Sequence, residues 1–319
     1  MTDYGYTLSS EEHPPRALVR QAAQAEAAGF AFASISDHFH PWTQSQGHSP
    51  FVWSVLGGIA EVTEQIEVGI GVTCPIMRIH PAVLAQATAT VSHLFEGRFF
   101  WGVGTGEALN EHITGERWPL PAIRREMLEE AIAVIRELWE GDTVSFRGQF
   151  YEVENARIFD APEVDVPVIV SGFGSESAAL AGRIGDGYWG TSPDKDLLDT
   201  FASSGGSGPR YAQLNVCWGE DEDTAKKTVQ EIWPNAGLEG QLSQDLPTWT
   251  HFESAVEPLT IERITENVPC GPDIAAEVVE SVNKYVAAGY DHVYFHQIGP
   301  DHDGFFRFWE QELRTELAQ

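Results

Sequence analysis

The chain has 319 residues, 42% of them apolar, enough for one large buried core, since barrels of alternating strands and helices exceed about 250 residues as single units. Forty-eight acids against nineteen bases give a net charge of −29, which excludes nucleic acid as a partner, because phosphate binding needs clustered Lys and Arg. No apolar run approaches the roughly 20 residues that cross a bilayer, and residues 1–6 lack the basic and apolar regions of a secretory signal. These features predict a cytoplasmic protein without a membrane partner.

In chain order, the pattern predicts a strand over 4–9, then a helix over 15–28 with Leu18, Ala22, Ala25 and Ala28 on one face. A strand over 30–36, a helix over 51–63, a strand over 66–73 and a helix over 81–94 follow, the last with Pro81 in its first turn. A strand over 99–103 leads to a long amphipathic helix over 122–139. Residues 142–158 read as a hairpin insertion around Arg147-Gly148. Strands over 166–170 and 187–191 flank a helix over 176–184, and a linker-like patch at 205–209 precedes a strand over 211–218. Residues 219–270 form a weakly patterned helical excursion; a helix over 273–288, a strand over 292–297 and a helix over 305–317 close the chain. Eight strands alternating with helices predict a (β/α)8 TIM barrel, a single α/β domain over 1–319. Its chemistry belongs at the carboxyl ends of the strands.

Three cysteines, Cys74, Cys217 and Cys270, are far apart and lack metal-ligand spacing, so neither disulfides nor a metal site is expected. Acids are dispersed and only four bases are lysines. This predicts an enzyme adapted to a salt-rich cytoplasm, where screening over about 3 Å at 1 M relieves self-repulsion.

Two segments concentrate chemistry at strand ends. Ser36-Asp37-His38-Phe39-His40-Pro41-Trp42 follows an apolar run, and Pro41 stops the strand and turns its side chains outward. Phe99 to Val103 runs into Gly104-Thr105-Gly106-Glu107-Ala108-Leu109-Asn110, a glycine-rich turn with one acid and one amide. Either alone is readable as a polar turn capping backbone groups. Together they place Asp37, His38, Glu107 and Asn110 on one rim, with Val72, Cys74, Gly172, Gly174 and Thr191.

These segments, with GHSPFVW from Gly47, HPAVLAQATAT from His80 and AGRIGDG from Ala181, closely resemble the deazaflavin-dependent branch of the luciferase-like oxidoreductases. The resemblance implies a luciferase-like barrel, coenzyme F420 (an 8-hydroxy-5-deazaflavin) as cofactor, an alcohol or sugar as substrate, and a homodimer. A deazaflavin has carbon where flavin has N5, so it takes and gives hydride. Oxidising an alcohol then needs a base for the hydroxyl proton. His38 is implied as that base, Trp42 as the ring stacked beside it, Glu107 as a second proton-handling group, and Glu11 as a further acid, for which Glu12 is an alternative.

On the cofactor side the resemblance implies contacts from Asp37, Cys74 and Asn110 to the ring system. It also implies a non-prolyl cis peptide at Gly71–Val72 behind that ring. Backbone around Thr105 and Gly106, and around Gly172, Phe173 and Gly174 leading to Glu176 and Ser177, is implied to cradle the phosphate. Cys74 replaces a threonine usual in sugar-phosphate-oxidising members. Those members grip phosphate with two lysines and an arginine, whose positions here fall at Asp194, near Ser254 and in 277–280. An unphosphorylated sugar or secondary alcohol is therefore expected, with Thr191 available to a hydroxyl. His296 is open between pocket wall and satisfied core residue. Glucose 6-phosphate oxidation, an FMN-dependent monooxygenase and a non-catalytic barrel are the competing readings.

Overall fold

A computed structural model describes residues 2–238 and 240–318. Eight parallel strands form a closed ring: β1 (Asp3–Leu8), β2 (Phe32–Ile35), β3 (Glu67–Thr73), β4 (Phe99–Val103), β5 (Val168–Ser171), β6 (Gly187–Gly190), β7 (Arg210–Trp218) and β8 (His292–Gln297). β8 pairs with both β1 and β7, and the ring closes where Tyr188, Trp189 and Gly190 of β6 register with Arg210, Tyr211 and Ala212 of β7. All residues of β2, β4, β5 and β6 are buried. Their near-continuous apolar runs are what a parallel strand covered on both faces requires.

The barrel interior is plugged by five aromatic residues, Phe32, Phe100, Trp189, Tyr211 and Tyr294, packed with Ile169. Tyr211 stacks on Phe100 and Trp189 at centroid distances of 4.9 and 5.0 Å. Glycine makes the room: a Cβ on Gly5 would sit 2.4 Å from the Phe32 ring, and one on Gly69 2.0 Å from the Phe100 ring. This plug is the floor on which the site rests, and Trp189 Nε1 donates to Tyr294 Oη at 2.7 Å to lock its upper layer.

The antiparallel hairpin Val144–Arg147 and Glu152–Ala156 leaves the barrel between β4 and β5. The Glu130 carboxylate holds its turn by accepting from the backbone N–H groups of Gln149, Phe150 and Tyr151. Between β7 and β8 lie short helices at Glu222–Ile232, Leu242–Asp245, Trp249–Val256 and Ile261–Thr265, and a two-residue strand, Cys270–Gly271, that pairs with β7.

Some elements differ from the sequence pattern, the helical turn Ala108–Glu111 and the strand Cys270–Gly271 among them. A helix over Lys195–Ser203 fills the β6–β7 crossover, started by the Asp194 side chain accepting from Asp196 and Leu197 N–H. The closing helix begins earlier, at His302 with Asp301 as cap, and carries a π-helical segment over Trp309–Leu313. No helix among the described residues is long and apolar enough to cross a membrane.

Candidate active site

A cavity of about 810 Å³ opens at the carboxyl ends of the strands. His38, just past β2, is held at its centre by its own turn, with Nδ1 3.3 Å from His40 O, and by three further neighbours. Its Nδ1 lies 3.4 Å from Glu11 Oε1, its Nε2 lies 3.4 Å from Glu107 Oε2, and the Trp42 ring stands edge-on at 4.9 Å. Pro41 ends the run as the sequence implies, and Trp42 is then packed on Phe252 of the helical excursion. Burial opposes charge on His38, but the Glu11 and Glu107 carboxylates outweigh it and raise the imidazole above its ordinary value. Burial is also the main cause of the raised Glu107 pKa, with Glu11 adding to it against the pull of His38.

Asn110 fixes the two sequence segments to one another. Its Oδ1 accepts from Phe39 and His40 N–H at 2.9 and 3.1 Å, and its Nδ2 donates to Glu107 Oε2 at 2.9 Å. The single helical turn Ala108–Glu111 that follows Gly106 puts Glu107 and Asn110 in reach of each other. Gly106 has φ 72°, and a Cβ there would meet Cys74 Sγ at 2.3 Å. Only glycine fits that turn. The Cys74 thiol is buried, which raises its pKa and keeps it protonated.

Beneath this layer lies a buried ion pair that the sequence patterns did not single out. Arg78 Nη2 donates to Asp37 Oδ1 at 2.8 Å, and Arg78 Nε lies 3.4 Å from Glu111 Oε1. Burial raises Glu111 to about 7, with Arg78 opposing the rise. Asp37 Oδ2 is buried without a partner among the described residues and belongs to a cavity-lining side chain. The sequence signal was Arg78 as the lone base in Cys74-Pro75-Ile76-Met77-Arg78, with Glu111 directly after Asn110.

Of the other expected residues, Glu11, Val72, Thr105, Phe173, Gly174, Glu176, Ser177, Thr191 and His296 line the same cavity, and the Gly71–Val72 peptide is cis. Glu12 does not line it. Its Oε1 bonds to His296 Nε2 at 2.6 Å and its Oε2 accepts from Gly299 N–H, so His296 is both a satisfied buried residue and part of the wall.

Other expected residues lie outside the cavity lining. Gly172 backs the loop instead of facing the cavity, because a Cβ there would press on Ala178 N at 2.9 Å and its carbonyl accepts from Tyr188 Oη. Asp194 is turned away to cap Lys195–Ser203, and exposed Ser254 donates to Thr250 O at 3.0 Å; neither lines the cavity. Glu277 lines a separate depression beside Glu222 and Lys226, and Glu280 pairs with Lys284. Trp189, which patterns as core, also closes the cavity floor.

The family of luciferase-like monooxygenases matches residues 2–292. The chain belongs to this family. It is 36% identical over 332 residues to the F420-dependent glucose-6-phosphate dehydrogenase of Mycolicibacterium fortuitum, covering 99% of this chain and 98% of that protein. Among solved structures it is similar to an F420-dependent secondary alcohol dehydrogenase in complex with an F420-acetone adduct, at a TM-score of 0.88, 30% identity and 97% coverage of both chains. The coenzyme F420 dependent tetrahydromethanopterin reductase from Methanopyrus kandleri shares the fold, at a TM-score of 0.78 and 20% identity, with 99% of each chain covered.

Proposed function

We propose that this luciferase-like protein is a coenzyme F420-dependent dehydrogenase acting on the CH–OH group of an unphosphorylated sugar or secondary alcohol. The observation that carries the reading is His38 held between Glu11 and Glu107 at the cavity centre. The cofactor fits the residues present: Asp37 Oδ2 is an unused buried acceptor, and Gly174, where a Cβ would meet nothing within 4 Å, leaves backbone open to a large ligand. When bound, the deazaflavin supplies the hydride acceptor.

The chain's own groups then handle protons and orientation. Neutral His38 takes the hydroxyl proton as the C–H bond breaks, and its flanking carboxylates stabilise the imidazolium that results. Glu107, whose raised pKa lets it hold a proton, is the second proton carrier on the same face. Trp42 fixes the imidazole and keeps water from it.

The substrate preference rests on charge. Glu11, Glu107 and His296 with Gln213 and Asn235 line the cavity, while Lys195 is drawn onto Asp199 and Arg263 pairs with Glu266 outside it. At the His38 end of the cavity a phosphate dianion would meet carboxylates. Oxidation of glucose 6-phosphate is the second reading, favoured by the relatives that share over a third of the sequence. Anaerobic assays in molar salt, following loss of deazaflavin absorbance, separate the two. We expect kcat/KM to favour the unphosphorylated sugar or secondary alcohol. A higher value for glucose 6-phosphate would replace that reading with the second, and oxygen-dependent turnover with FMN would sink both. The reading carries with it a cytoplasmic homodimer, whose dimeric state light scattering tests.

A further inference from the structure

The cavity wall is divided by charge. Glu11, Asp37, Glu107 and Glu111 surround the His38 end, whereas the two arginines of the lining, Arg124 and Arg125, stand together near the start of the helix Pro121–Trp139. Arg124 is 1% exposed, a costly position for a guanidinium without a close counter-charge. Its Nη1 and Nη2 donate to Pro119 O and Gln244 Oε1 at 2.9 and 3.2 Å, and Asp245 approaches Nη1 only to 3.9 Å. Its Nε has no acceptor among the described residues, and the Trp118 ring centroid lies 4.3 Å from its Cζ.

Arg125 extends to the end of the loop after β5, where it pairs with the largely exposed Glu176 in the first turn of the next helix. That loop opens the ten-residue helix Ser175–Ile184, which has no side-chain cap at Gly174 and whose first residues line the cavity. Free N–H groups and the positive end of the helix dipole point the same way as the guanidinium pair. In a chain carrying −29, such a concentration of positive potential on one wall selects an anion.

Coenzyme F420 carries, beyond its phospholactyl group, a tail of glutamyl carboxylates, and we infer that Arg124 and Arg125 bind that tail where it continues past a phosphate seated at the Ser175–Ile184 N-terminus, so that this wall reads the tail and not the ring. The inference rests on the F420 reading above. It gives the buried, under-paired Arg124 a counter-ion and gives Arg125 a choice between Glu176 and the ligand.

Binding, read by fluorescence quenching in molar salt, tests it with three ligands: the full cofactor, the form ending at the phospholactyl group, and the bare deazaflavin riboside. Arg125→Gln is the main variant, because it is partly exposed and its fold is checked by thermal melting. It should weaken the full cofactor about ten- to hundredfold and leave the other two within twofold, while Glu176→Gln should tighten the full cofactor alone. An equal loss for all three ligands, or no loss for any, overturns the inference. So does competition of glucose 6-phosphate with the full cofactor alone, which would assign the site to a substrate phosphate. Failure of the unaltered protein to bind any of the three would instead remove the F420 reading itself.

Discussion

His38 and Glu107 face each other across 3.4 Å, and Glu11 stands at the same distance from the other ring nitrogen. A neutral imidazole has one N–H for two carboxylates, whereas the imidazolium has two, which is why the pair raises the His38 pKa despite burial. A base acts only when unprotonated. The rate of alcohol oxidation should therefore rise with pH through an inflection above the ordinary histidine value of about 6.5. Glu107→Gln removes one of the two carboxylates, so the inflection should move to lower pH. A pH profile of single-turnover hydride transfer measures both; an inflection unmoved by the substitution would detach Glu107 from His38.

His38→Ala should keep deazaflavin binding and lose about 10²- to 10⁴-fold in turnover, the usual contribution of a general base. Near-normal turnover in rapid-mixing experiments would remove His38 from the mechanism.

Arg78 should matter more to stability than any exposed ion pair. It is 6% exposed between Asp37 and Glu111, each 1% exposed. Arg78→Met leaves two buried carboxylates uncompensated, and losing one partner of a buried pair costs about 3–5 kcal/mol. Breaking Lys195–Asp199 on the surface should cost under about 1 kcal/mol. Denaturant unfolding of the two variants compares them, and similar losses would show that the Arg78 pairs do not hold the loops after β2 and β3.

The barrel was legible because its strands are short apolar runs set off by polar turns, and the rim chemistry because acid, imidazole and glycine cluster in two local segments. What escaped the sequence depends on long-range packing. Arg78, Glu111 and Arg124 belong to no local motif, and only the folded chain brings Arg78 to Asp37 and Arg124 to Gln244. Asp194 shows the converse: alignment with a phosphate-binding position suggested a pocket residue, but a local cap captured its carboxylate.

Tyr6, His302 and the half-buried His13 form a chain, with His302 Nε2 2.8 Å from His13 Nε2. Burial lowers both histidines to about 4, each reinforced by neighbouring imidazoles. A histidine with a depressed folded pKa favours folding above its unfolded value near 6.5 and loses that contribution as pH falls toward about 4. Melting temperature should therefore drop across that window. His302→Leu should flatten the drop, and an unchanged slope would show that other groups govern acid unfolding.

Salt should stabilise this protein. Forty-eight acids against nineteen bases make like-charge repulsion the more numerous interaction on its surface. Exposed pairs such as Lys226–Glu222 and Lys284–Glu280 weaken on screening, but water already screens them and each contributes little. The relief of repulsion therefore outweighs the lost pairs as the screening length falls from about 10 Å at 0.1 M to about 3 Å at 1 M. Melting temperature and activity should both climb between dilute buffer and molar potassium chloride, and the buried Arg78 pairs, poorly reached by salt, should not change that trend. Full activity with an unchanged melting temperature in dilute buffer would remove the link between the acidic surface and a saline environment.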